Sequence, residues 1–180
     1  MKLFSLQPKD RGRVSELLIA TGAFSTEEVA VALELFDETH RMCRPEQSEG
    51  PALRNGGMAD YEFLGAFNDD NQLIGYACFG PTPSSDGTYD LYWLAIDPAA
   101  QSRGAGRALV REVQRLLVAR QARLLVVETS SRESYARSRD FYARCGYLEA
   151  ARVRDFYAPA DDRIILTTRL MARAVGVASR

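Results

Sequence analysis

The tightest constraint on this chain's fold lies between residues 89 and 128. Tyr89 to Ile96 and Arg123 to Glu128 are short runs, apolar on both faces, and read as buried strands. Asp97-Pro98 stops the first run. Gly104 to Arg120 then repeats apolar residues at helical spacing, with Leu109, Val113, Leu116 and Leu117 on one face. A strand that feeds a helix and then a second strand closes as a crossover, and its two strands lie parallel. That commits the chain to a mixed α/β class with helices packed on a sheet.

The other segments fit around this unit. Lys2 to Gln7 alternates as a strand does, and Val14, Leu17 and Leu18 mark a helix that Gly22 ends. Ser25 with Glu28 forms a capping box, with Thr26 as the alternative cap. Val29, Leu33 and Phe36 then give one face of a second helix, running to about Arg41. Residues 43–59 carry Pro45, Gly50, Pro51, Gly56 and Gly57, and read as a loop long enough to be functional. Tyr61 to Phe67 and Gln72 to Phe79 form a hairpin about Asn68-Asp69-Asp70-Asn71. After the parallel pair, Tyr135 to Arg144 is a helix closed by Gly146. Tyr147 to Phe156 and Arg163 to Leu170 make a last hairpin about Ala158-Pro159-Ala160-Asp161, and residues 171–180 read as a tail.

Length and charge narrow the class. A chain of 180 residues predicts a single domain over 1–170. Its parts are a helical segment with loop over 1–59 and a core over 60–170. A net charge of −1 argues against a nucleic-acid or membrane-surface binder. No apolar run approaches the roughly 20 residues that span a bilayer. Cys43, Cys78 and Cys145 are odd in number and widely spaced, which predicts reduced thiols in a cytoplasmic protein. No paired Cys/His spacing occurs, so no structural metal is expected. The sole histidine, His40, reads as a surface residue or a partner of a helix C-terminus.

The segment with the most chemistry is Gln101-Ser102-Arg103-Gly104-Ala105-Gly106-Arg107, between a buried strand and a long helix. Glycine lets backbone N–H groups approach an anion. A helix N-terminus adds orphan donors and positive partial charge. Together they make a pyrophosphate cradle, with Arg103 and Arg107 beside it. A dinucleotide-binding fold is the rival reading, and Glu128 sits near the place of its ribose-binding acid. Against it, the third small residue falls at Leu109 and the glycines follow a late strand. A Gly-Lys-Ser/Thr triplet is absent, so the phosphate loop of nucleotide hydrolases is excluded.

Asp97 through Arg107 resembles the acetyl-CoA signature of the GNAT superfamily of N-acetyltransferases, Q/R-x-x-G-x-G/A. Asp140-Phe141-Tyr142-Ala143-Arg144-Cys145-Gly146-Tyr147 resembles the same superfamily's F-Y-x-x-x-G-F/Y. The two stand in the right order with a strand between them, and the likeness runs from about Tyr61 to Leu170. An asparagine common in the superfamily is missing from Thr129 to Tyr135. The closing hairpin from Arg152, with its aromatic pair and proline, is similar to that of RimI-type N-terminal acetyltransferases.

The resemblance implies the GNAT fold, a mixed and mostly antiparallel sheet splayed at its two central parallel strands and flanked by helices. It also implies acetyl-CoA as co-substrate and an amine acceptor. The backbone of Leu94, Ala95 and Ile96 is expected to pair with pantetheine, and the N–H groups from Ser102 to Arg107, after Gln101, to hold the pyrophosphate. Tyr142 matches the superfamily's tyrosine acid. For the base, Glu128 matches the glutamate of RimI-type enzymes and Asp90 that of histone-type enzymes, with Glu128 preferred. Three functions follow as expectations: acetylation of a small-molecule amine, acetylation of a protein N-terminus, and a non-catalytic acyl-CoA-binding domain. Exposed hairpin edges would allow a homodimer.

Overall fold

Local chemistry sets the element ends. The chain is described here from a computed structural model covering residues 1–42 and 61–170. The expected loop 43–59 and the tail 171–180 lie outside the described residues. In chain order the main elements are β1 (Lys2–Ser5), α1 (Arg11–Thr21), α2 (Thr26–Met42), β2 (Glu62–Phe67), β3 (Leu73–Pro81) and β4 (Thr88–Ile96). They continue with α3 (Ala105–Ala119), β5 (Leu124–Ser130), α4 (Ala136–Arg144), β6 (Leu148–Ala158) and β7 (Asp161–Arg169). Gly22 ends α1. The capping box forms at Ser25: its N–H donates to Glu28 Oε2 (2.7 Å) and its Oγ accepts from the Glu28 N–H (3.2 Å). Asn68 and Gln72 close the first hairpin through backbone and side chain. No helix among the described residues is long and apolar enough to cross a membrane.

The strands form one seven-stranded sheet in the order β1-β2-β3-β4-β5-β7-β6. Among the described residues only β4 and β5 pair in parallel; every other neighbour is antiparallel. The fold is therefore α/β of the α+β type, with a mixed, mostly antiparallel sheet. Each face carries its own core. On one, Leu109, Val110, Val113 and Leu117 of α3 meet Leu91, Leu125, Val127 and Ile164. On the other, Val14, Leu17 and Leu18 of α1 and Phe36 of α2 cover Phe63, Tyr76 and Cys78.

Two irregularities in the sheet position the site. β3 pairs Cys78 with Trp93 but Phe79 with Leu91, so Tyr92 is an extra residue in β4. Asp90, Tyr92, Trp93 and Ala95 consequently lie towards α1 and α2, whereas Leu91, Leu94 and Ile96 lie towards α3. The parallel pairing of β4 with β5 stops after Asp90–Val126. From Leu91 to Ile96, β4 has β3 as its partner on one side and nothing from β5 on the other.

His40 takes the second of its two readings, a partner of the helix C-terminus. It is half-buried, its ring centroid is 4.1 Å from that of Phe36, and its nitrogens lie 2.7 and 3.1 Å from the carbonyls of Phe36 and Leu6. It joins the end of α2 to the end of the first strand rather than facing water.

Candidate active site

The turn after β4 leads into an open helix end. Asp97 Oδ1 accepts from the Ala99 N–H (2.9 Å), and Arg13 bridges Asp97 and the Leu73 carbonyl, which fixes the exit of β4 against α1. Ser102 (φ 62°) and Gly104 (φ 86°) are left-handed. Such residues in a turn gather N–H groups into a concavity suited to an anion. Gly104 caps α3 without any side-chain hydrogen bond. Ala108 N–H, donating to the Gly104 carbonyl (2.9 Å), starts the ladder, so the N–H groups of Ala105, Gly106 and Arg107 are the helix's orphan donors. Among the described residues, a Cβ on Gly104 would meet nothing within 4 Å. Arg103 and Arg107 are exposed beside it, and Gln101 Nε2 reaches the Ile96 carbonyl at 3.4 Å. These features fit a diphosphate, and the free edge of β4 from Leu91 to Ile96, which includes Leu94, Ala95 and Ile96, begins at the same end.

Tyr142 and the two carboxylates lie on opposite faces of the sheet. Tyr142, on α4, is 7% exposed and packs edge-on against Phe141 and Tyr147 in the α3 core. Burial pushes its phenol well above the ordinary tyrosine value. Asp90 pairs in register with Val126, and Glu128 lies two residues further along β5, so both carboxylates share the face of α1 and α2. Asp90 is half-buried and accepts from Thr82 Oγ1 (2.6 Å). Glu128 is more open, yet both its oxygens have donors: the Tyr157 hydroxyl on Oε1 (2.5 Å) and the Arg163 guanidinium on Oε2.

The structure adds residues that the sequence reading did not assign. Tyr157, one of the aromatic pair in the closing hairpin, is the Glu128 partner. Asp161 is 3% exposed, accepts from Ser130 Oγ, and is ion-paired with Arg132 Nε (2.8 Å). This pins the turn of the closing hairpin to the end of β5. Arg139 donates to the carbonyls of Ser130 and Arg132 (both 2.8 Å), where the superfamily asparagine is missing. Tyr135 Oη donates to the Ala23 carbonyl (3.0 Å), tying the start of α4 to the connection between α1 and α2. Only the aromatic pair beside a proline carried any signal of this in the sequence.

Comparison with known proteins gives the class to which this fold belongs, an acetyltransferase family. The Acetyltransferase (GNAT) family model matches residues 30–147, more than half of the chain, and the chain belongs to that family. A solved acetyltransferase-type protein of the GNAT family from Desulfovibrio desulfuricans is 39% identical, with TM-score 0.79, covering 94% of this chain and 99% of that one. The ribosomal-protein-S18-alanine N-acetyltransferase of Escherichia coli shares the fold at 20% identity and TM-score 0.67, covering 99% and 98%. So does yncA of Salmonella typhimurium, solved with its cofactor acetyl-CoA, at 17% identity and TM-score 0.68, covering 99% of both chains. No curated protein matches the chain in sequence.

Proposed function

We propose that this protein is an acetyl-CoA-dependent N-acetyltransferase that passes acetyl directly to a primary amine of a small molecule. One observation carries the reading. The gap between β4 and β5 runs from the open N-terminus of α3, with a buried tyrosine on one face of the sheet and two carboxylates on the other. Acetyl-CoA supplies a thioester carbonyl, the electrophile for the amine. The N–H groups from Ser102 to Arg107 hold its diphosphate, and the backbone of Leu94, Ala95 and Ile96 pairs with its arm as an added strand would. Glu128 takes the proton that the amine must lose, directly or through water. Tyr142 donates a hydrogen bond to the departing thiolate. Its burial makes a full phenolate costly, so it stabilises the sulfur's charge more than it surrenders the proton. Asp90, held by Thr82 and adjacent to Tyr92, orients the acceptor's cation.

A second reading is N-terminal acetylation of a protein. Phe156 and Tyr157 are 49% and 45% exposed beside Glu128, which favours an extended acceptor laid along the closing hairpin. A panel of small amines and peptides, scored by free-thiol release from acetyl-CoA, separates the two. Release with small amines supports the first reading and release only with peptides the second. Absence of release with every acceptor tried, despite acetyl-CoA binding, leaves the non-catalytic domain.

A further inference from the structure

Glu128 does not stand free, and what holds it has consequences for its chemistry. Tyr157 reaches back from β6 to donate to Oε1 at 2.5 Å, across 29 residues of chain. Arg163, at the start of β7, takes Oε2. The guanidinium of Arg163 also lies 4.9 Å over the ring of Phe156, and its Nε–H is buried without a partner among the described residues. Arg163 thus packs on an aromatic face with Glu128 as its counter-ion, its side chain 34% exposed. The Tyr157 phenol, raised by burial and then by Glu128 itself, stays protonated and remains a donor through the neutral range.

We infer that Tyr157 and Arg163 are positioning residues for Glu128, fixing its rotamer while one lone pair on each oxygen stays available to the acceptor's amine. This rests on the proposed role of Glu128 as base.

The test uses the whole chain with acetyl-CoA and whichever amine the panel selects. Tyr157→Phe is expected to lower kcat by about tenfold, and Arg163→Met by at least as much, with the acceptor KM near wild type. Acetyl-CoA affinity should be unchanged in both, which also shows that they fold. In a Glu128→Gln background neither change should lower kcat further, because both act through that carboxylate. A crystal structure of Tyr157→Phe is expected to show Glu128 turned from its wild-type rotamer. A Glu128 side chain unmoved in that variant overturns the clamp, whatever happens to the rate. An equal loss of kcat with and without the Glu128 carboxylate shows that the pair acts on something else, and the catalytic part of the inference falls. If Glu128→Gln keeps full activity, the base assignment fails by itself, and the Glu128 rotamer in Tyr157→Phe still decides whether the clamp exists.

Discussion

Tyr142 is held by packing, and the chemistry proposed for it depends on that packing. Its ring is locked between Phe141 and Tyr147, and that packing raises the energy of its phenolate. Tyr142→Phe keeps the ring and removes only the hydroxyl. It should therefore lower kcat by about 10²-fold, the lower end of what a positioned proton donor contributes, while leaving acetyl-CoA affinity and folding stability near wild type. Steady-state kinetics beside calorimetry checks this; an unchanged kcat removes Tyr142 from the chemistry. The two carboxylates invite a parallel comparison. Glu128→Gln is expected to reduce kcat by a factor on the order of 10² at neutral pH, and Asp90→Asn to act mainly on the acceptor KM. The reverse pattern would make Asp90 the base. Asp90 and Glu128 were visible in the sequence because a carboxylate in an apolar strand needs a reason. That Tyr157 and Arg163 answer for Glu128 was not visible, because their contact depends on how β5, β7 and β6 are ordered in the sheet.

At the scale of elements, α3 and α4 are spaced by a single glycine. A Cβ on Gly106 would lie 3.3 Å from the Phe141 ring, tighter than comfortable contact. Gly106→Val should push α4 outward and carry Tyr142 with it, costing about 1–3 kcal/mol of stability and a large part of kcat. Denaturant melts unchanged from wild type would show that the two helices have room to spare. Between α1 and α2, Arg11 grips both oxygens of Asp37 (2.6 and 2.9 Å) and holds its carboxyl below the usual range. A depressed carboxylate stabilises the fold above its unfolded pKa, and that stability is lost as pH falls through its folded value. Asp37→Asn should therefore flatten the fall of Tm below about pH 4, and high salt should do the same in wild type. Helix and hairpin ends were legible because capping boxes, turn residues and apolar periods act over a few neighbours. Ser25 with Glu28, Asn68 with Gln72 and Gly146 each left such a local signature. The extra residue at Tyr92 left none, since β4 is apolar on both faces and its alternation hides a one-residue slip. The links from Arg13 to Asp97 and from Tyr135 to Ala23 span 84 and 112 residues, beyond any local pattern.

For the whole molecule, the sheet separates two cores that do different work. The α3 and α4 face builds the open helix end and one wall of the β4–β5 gap, whereas α1 and α2 build a second core on the far face. Stability and cofactor binding should then separate by mutation. Acetyl-CoA at 100 times its Kd stabilises a folded protein by about 2.7 kcal/mol, which for a chain of this size raises Tm by roughly 5–10 °C. Gly104→Glu places a bulky anion on a left-handed residue in front of the orphan N–H groups, so it should abolish that rise by clash and charge repulsion. Leu17→Ala opens a cavity in the far core beneath a fully buried side chain. It should cost about 2–5 kcal/mol and lower Tm, yet keep the full rise with acetyl-CoA. Thermal melts of both variants, with acetyl-CoA and with a nicotinamide dinucleotide as control, test the division. A rise retained by Gly104→Glu would move the diphosphate away from α3, and a rise with the dinucleotide alone would hand the site to the rival fold's ligand. A rise lost in Leu17→Ala would mean that the two cores act as one unit across the sheet, with the opening beside β4 shaped by both faces.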